Sequence, residues 1–270
     1  MTGVEANGIF FNCRVDGPTD NPAAPWLVFS NSLATDLTLW DGQVERFADR
    51  FRILRYDTRG HGLSGETEPP YSFDMLTSDA IALMDAHGID QAHWVGLSLG
   101  GSTGLGLALD YPDRIASLAV CDSRPHSDAN FSKAWDDRIA TVEAKGMDGV
   151  VETTIERWFT RPFRNSVAGK PVCDSVRAMI RKTAPEGFIG CSRALQTLSY
   201  KPRLRSISCR TLFMAGNEDS SCPPEVAYMM HKTVSGSNCV IIEPASHISN
   251  LENPAQFDAG LAAHLARAVA

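Results

Sequence analysis

The chain has 270 residues, a net charge of −7 at pH 7 and 43% apolar content. That is long enough for one large domain with a sizeable core, and too long for a minimal module. The acidic balance, with no block of Lys or Arg, argues against a nucleic-acid partner, and no apolar run approaches the ~20 residues that cross a bilayer.

The N-terminal residues Met1-Thr2-Gly3-Val4-Glu5-Ala6 have neither a basic start nor an apolar stretch, so no signal peptide is expected. Asn7-Gly8 between β-prone segments predicts a two-residue hairpin turn, and the opening hairpin should end near Val15, before Gly17-Pro18. The run 26–29 is apolar throughout, as suits a strand buried in a parallel sheet; a loop is expected from 31 to 40. Residues 52–57 read as the next strand, and the glycines of Thr58-Arg59-Gly60-His61-Gly62 as a tight turn beyond its end. Ser72 is a candidate N-cap for a helix with apolar residues at 73, 76, 80, 83 and 84, stopped by Gly88. A strand over 92–95, a helix from 98 to about 111 and a strand over 116–121 complete an alternating pattern, which predicts an α/β fold with a mostly parallel sheet.

From 126 to about 200 no strand run is clear. Segments 139–144, 150–158, 176–180 and 188–198 look helical, which predicts an all-helical lid over 126–199 inserted into a core made of 1–125 and 200–270. Strands resume at 211–215 and 239–242, and an amphipathic helix over 257–269 closes the chain.

The centre of the pattern is Gly96-Leu97-Ser98-Leu99-Gly100, a G-x-S-x-G motif between a strand and a small-residue helix. A serine on so tight a turn leaves no room for side chains two residues to either side, and its Oγ stands clear of the sheet at a helix N-terminus. Serine needs a base, normally a histidine held by a carboxylate. The first acids after a late strand are Glu218-Asp219, and His247 follows the next strand. The order Ser, acid, His is that of α/β-hydrolases. Asp219 is favoured over Glu218, since Gly216 begins a G-x-x-D pattern followed by Pro223. Among the other histidines, His61 lies beside the crevice on a turn explained by its glycines, and His87 suits a helix C-terminus. His93, His126, His231 and His264 read as surface or capping residues. Two backbone N–H groups should form an oxyanion hole, those of Leu99 and of Leu33 in the loop after the first long parallel strand. Seven scattered cysteines without a C-x-x-C pair fit free thiols in a reducing cytosol, and neither they nor the histidines are spaced as metal ligands.

These residues resemble the α/β-hydrolase superfamily and, within it, the 3-oxoadipate enol-lactonases. The resemblance is carried by Ser30-Asn31-Ser32-Leu33 with Asp36 and Trp40, by Arg55-Tyr56-Asp57-Thr58-Arg59-Gly60-His61-Gly62, by the Ser98 motif, by Trp135 with Arg138-Ile139, by Arg157-Trp158-Phe159, by Gly216-Asn217-Glu218-Asp219, and by His247-Ile248-Ser249-Asn250. It departs at Leu99, where methionine is expected. The resemblance implies a triad of Ser98, Asp219 and His247, oxyanion donors Leu33 and Leu99, and opening of an enol-lactone ring in aromatic-compound catabolism. No cofactor or metal is expected. The implied partner is a small lactone or ester, with Arg138 and Arg157 as candidates for a substrate carboxylate and Trp135 and Trp158 for the pocket wall. A homo-oligomer is possible, and the expected location is the cytoplasm. A general carboxylesterase and a cofactor-free haloperoxidase or perhydrolase would use the same triad. A small-molecule receptor on the same fold is the non-enzymatic alternative.

Overall fold

The structure, a computed structural model, describes residues 3–266. The Met1-Thr2 start and the expected end of the last helix at 269 lie outside the described residues. In chain order the elements are β1 (Gly3–Ala6), β2 (Ile9–Asp16), β3 (Trp26–Ser30), α1 (Asp41–Phe47), β4 (Arg52–Tyr56), α2 (Phe73–Ala86), β5 (Ala92–Leu97), α3 (Leu99–Asp110), β6 (Ile115–Cys121), α4 (Ala129–Lys145), α5 (Val151–Trp158), α6 (Arg161–Asn165), α7 (Gly169–Lys182), α8 (Pro185–Gln196), β7 (Arg210–Gly216), α9 (Pro224–Thr233), β8 (Asn238–Ile242), α10 (Ser249–Glu252) and α11 (Pro254–Ala266).

The eight strands form one sheet in the order β1-β2-β4-β3-β5-β6-β7-β8. The opening hairpin turns at Asn7-Gly8 and pairs antiparallel with β4; every later pairing is parallel. The fully buried β5 carries no alternation, as expected for a strand covered on both faces. On one face Trp40 stacks on Phe29 with ring centroids 4.6 Å apart and meets Phe257 of α11 at 6.2 Å. On the other, α3 approaches β5 closely: a Cβ on Gly104 would lie 2.6 Å from the Trp94 ring. Small residues in α3 therefore set the helix-to-sheet distance at the position where the Ser98 turn leaves the sheet.

Ser72 caps α2 as expected, its hydroxyl accepting from the Met75 N–H, and Gly88 takes a left-handed φ of +64° where the helix stops. Four helices were not expected, one of them the four-residue α10 after His247. α1 occupies the space between β3 and β4, preceded by a 3-10 turn at Leu37–Trp40, so the loop that starts at 31 ends in helical turns. α9 crosses from β7 to β8, as a parallel pair requires. α6 is a single short segment with Pro162 near its start. α4 and α7 run longer than their apolar stripes suggested, while α5 and α8 fall close to the expected spans: α4 begins at Ala129, ten residues before its first expected position, because its first turns are polar.

The β6–β7 segment is entirely helical apart from its two ends, which meet. His126 bridges Ser199, the Ser127 N–H donates to the Leu198 carbonyl at 2.9 Å, and the Tyr200 N–H to the Pro125 carbonyl at 2.8 Å. No helix among the described residues is long and apolar enough to cross a membrane.

Candidate active site

The carboxyl ends of β3, β5, β6 and β7 and the loop after β8 converge on one place. Ser98, between β5 and α3, has φ +54° and ψ −109°, a conformation rarely taken by a residue with a side chain. The turn is held from several sides. The Ser98 N–H donates to the Cys121 carbonyl at 2.8 Å, and the Ser123 hydroxyl donates to the Ser98 carbonyl at 2.7 Å. The flanking glycines are sterically required. A Cβ on Gly96 would sit 2.1 Å from the Gly100 carbonyl oxygen, and one on Gly100 2.3 Å from that of Ser30.

His247 connects the serine to the acid. Its Nε2 lies 2.9 Å from Ser98 Oγ and its Nδ1 2.7 Å from Asp219 Oδ2. Asp219 is buried, and its other oxygen accepts the N–H groups of Ser221 at 2.7 Å and Cys222 at 3.1 Å, whereas Glu218 is exposed. Two backbone donors fix the carboxylate, so Nδ1 carries the proton and Nε2 is left to accept from the Ser98 hydroxyl. Leu99 contributes the first N–H of α3, which has no carbonyl one turn back within the helix. Leu33 lines the same cavity as Ser98, in a loop tied to the serine turn by the Gly100 N–H donating to the Asn31 carbonyl at 3.0 Å.

Ser98 and His247 open into a cavity of about 370 Å³ between the sheet edge and the helical insertion. All four of the expected pocket residues line it: Trp135 and Arg138 from α4, Arg157 and Trp158 from α5. The Trp158 ring centroid is 6.0 Å from that of His247, and the Arg138 guanidinium lies 4.4 Å over the Trp135 ring. Neither Arg138 nor Arg157 forms an ion pair with a described residue. Burial, and then the neighbouring Arg157, push Arg138 down to about 10; burial also lowers Arg157, with Asp219 pulling the other way. Asp128 is the acidic residue in the lining, and it pairs with Arg124 and not with Arg138 or Arg157. Two cations facing one apolar cavity form a site for an anionic group.

Sequence reasoning missed several neighbours. Arg124 lines the same cavity, 3.8 Å over the Phe131 ring and 3.5 Å from Asp128. It lies three residues beyond the end of β6, an edge position that could have drawn notice. Buried Asp122, also just past β6, has φ +47° and accepts the Gly216 N–H at 2.8 Å and the Ser249 hydroxyl. Burial, reinforced by nearby Asp219, holds its carboxyl well above the usual carboxylate range. Cys222 also lines the cavity. Burial and Asp219 raise its thiol well above the usual value, so it stays protonated and does not compete as nucleophile.

Two histidine readings are corrected. His93 and His264 are not surface or capping residues: both are buried, His93 within β5 with its Nδ1 2.9 Å from the Ser117 hydroxyl. Strand burial on both faces leaves no surface for His93 to occupy. His61 is fully enclosed too, its Nδ1 2.9 Å from the Arg59 carbonyl, and burial pulls it down to about 4. His87 terminates α2 as expected, with its ring bonded to the Leu83 carbonyl.

The alpha/beta hydrolase fold profile matches residues 25–254 of this sequence. The chain belongs to the alpha/beta hydrolase family. Similar members of that family include 3-oxoadipate enol-lactonase 2 of Acinetobacter baylyi, 33% identical over 97% of this chain and 95% of that protein. The crystal structure of the enol-lactonase from Burkholderia xenovorans superposes with a TM-score of 0.94 at 32% identity, covering 98% of this chain and all of that one. A thermophilic esterase from Thermogutta terrifontis superposes at 0.91 with 26% identity over the full length of both. As an alpha/beta hydrolase with relatives of this kind, the protein is a hydrolase.

Proposed function

We propose that the protein opens an enol-lactone ring, of the 3-oxoadipate enol-lactone kind, in aromatic-compound catabolism. The observation that carries this reading is the Ser98–His247–Asp219 relay facing a cavity lined by two arginines that form no ion pair with a described residue. The names of the enol-lactonase relatives support the same substrate class.

In this reading the lactone enters between the sheet edge and the insertion, which acts as a lid. Its side-chain carboxylate is held by Arg138 and Arg157, and its ring packs against Trp135 and Trp158. His247 Nε2 takes the Ser98 proton as Oγ attacks the lactone carbonyl. Asp219 holds the ring in the Nδ1-protonated tautomer and stabilises the imidazolium. The Leu33 and Leu99 N–H groups receive the oxyanion. Ring opening expels an enol, which takes a proton and rearranges to the ketone. Water activated by His247 then hydrolyses the acyl-serine and releases the keto acid.

The test is turnover of enol-lactone followed by loss of ultraviolet absorbance. Ser98→Ala should lose at least about 10⁴-fold in kcat. Arg138→Ala should raise KM for the anionic lactone by about 10- to 100-fold, the value of one charged hydrogen bond, and leave a neutral aryl ester unaffected. Negligible lactone turnover beside brisk hydrolysis of the neutral ester would replace this reading with a carboxylesterase; the similar Thermogutta structure is that of an esterase.

A further inference from the structure

His247 stands in a loop between β8 and α10 that has no regular structure of its own. The loop after β7 fixes one side of it, through Asn217, Glu218 and Asp219, and the helical insertion the other. The residue before it, Ser246, donates its hydroxyl to the Arg157 carbonyl at 3.0 Å. The residue after it, Ile248, donates its N–H to the Trp158 carbonyl at 3.3 Å. Glu252, the last residue of α10, completes the arrangement. One carboxylate oxygen accepts the Ser246 N–H at 2.9 Å; the other accepts the Thr160 N–H at 3.0 Å and the Thr160 hydroxyl. Ser246, Ile248 and Thr160 are all buried. The residues on both sides of the imidazole are thus bonded to residues 157 and 158, one through a hydroxyl and one through its backbone N–H, and Glu252 joins residue 160 to the same loop.

We propose that Glu252 is a positioning residue that makes the helical insertion part of the base's support, so that His247 is aligned on Ser98 only while residues 157–160 are seated. The proposal rests on the reading of His247 as the base. Its physical ground is the small tolerance of proton transfer. A displacement of about 1 Å in a reacting group costs on the order of 100-fold in rate. Glu252 is suited to the task because one carboxylate has acceptor capacity for donors from two segments at once. An amide has one oxygen, so Gln at this position loses its acceptor for either the Ser246 N–H or the Thr160 N–H.

The experiment uses the full-length protein and a small neutral aryl ester, which does not call on the arginines. Glu252→Gln should lower kcat by about 10- to 100-fold with KM within about twofold. Thr160→Val lies on the insertion and touches neither His247 nor its loop. It should lower kcat in the same direction, by at least about threefold, and Thr160→Ser should restore the rate. The Glu252→Gln/Thr160→Val double variant should be no slower than Glu252→Gln alone, because both open the same link. The concentration of folded sites is counted by the endpoint of phosphonate labelling, so loss of folded protein is separated from loss of rate. The proposal is overturned if kcat per labelled site is unchanged, if only KM rises, or if the two substitutions act additively. His247→Ala is run alongside. If it keeps full turnover, the reading of His247 as the base fails; if it is inactive while Glu252→Gln is fully active, only the Glu252 proposal fails.

Discussion

At the scale of single residues, the tightest constraint is the strained turn at Ser98. It exists only because positions 96 and 100 lack a Cβ. Gly96→Ala or Gly100→Ala should destabilise the fold by at least about 3 kcal/mol, measured by urea unfolding, since backbone oxygens, which cannot swing away, occupy the space. Asp219→Asn should preserve the fold and lose about 10⁴-fold in kcat, because an amide facing Nδ1 stabilises the wrong tautomer. These residues were legible in the sequence because the chemistry needs fixed residue types directly after strand ends. His93 and His264 were not. Nothing local distinguishes a histidine inside a strand or on the inner face of a helix from one at the surface. Asp122 was hidden for another reason: an acid after a strand end looks solvated until the His247 loop is folded over it.

At the scale of elements, the turn after β4 is anchored by an ion pair between buried Arg59 and buried Asp79 of α2, with Asn7 from the opening hairpin adding a donor to Asp79. Burial raises the Asp79 carboxyl while Arg59 lowers it, and the net direction is upward. Arg59→Ala should cost about 3–5 kcal/mol, because it leaves a carboxyl buried without its partner. The Arg59→Met/Asp79→Leu pair should cost less than that single change, and denaturant midpoints compare the two directly. Strands were easier to read than helices here. The strands of a doubly covered sheet are continuous apolar runs, as in 26–29 and 211–215. By contrast, α1 is short and half polar, α9 begins on Pro224 and buries only Ala227 and Met230, and the first turns of α4 face solvent. Their positions are set by the crossovers they must make more than by local pattern.

At the scale of the whole molecule, buried neutral histidines weaken the fold in acid: His61 beside the crevice, and His93 and His264 at the opposite end of the sheet. Burial lowers His93 to about 4 and His264 to about 3, below the unfolded value of about 6.5. The unfolded chain therefore binds more protons between those limits. The contribution is fully present above pH ~6.5 and is lost as pH falls toward 4 for His93 and toward 3 for His264. His93 alone should remove about 2 kcal/mol at pH 5, and His93→Gln should flatten the fall in Tm between pH 7 and 5. The fold class itself was legible from alternation of strands and helices, which belongs to the chain as a whole. The cavity was legible in part: Trp135, Arg138, Arg157 and Trp158 line it as expected, whereas Arg124 and Cys222 were missed because the walls come from segments more than a hundred residues apart, Ser32 to His247.

The meeting of the two ends of the helical insertion has an evolutionary consequence. Because Pro125 and Tyr200 are joined by a hydrogen bond, everything between them leaves and re-enters the sheet through one narrow doorway. A segment of different length or sequence could be spliced there without altering the register of β6 on β7, and loop-closure entropy would penalise a change in length only logarithmically. The link between Glu252 and Thr160 is what such a transplant would have to reproduce. A borrowed segment would bring a new substrate preference at once, but full rate only after it had acquired a donor for that carboxylate.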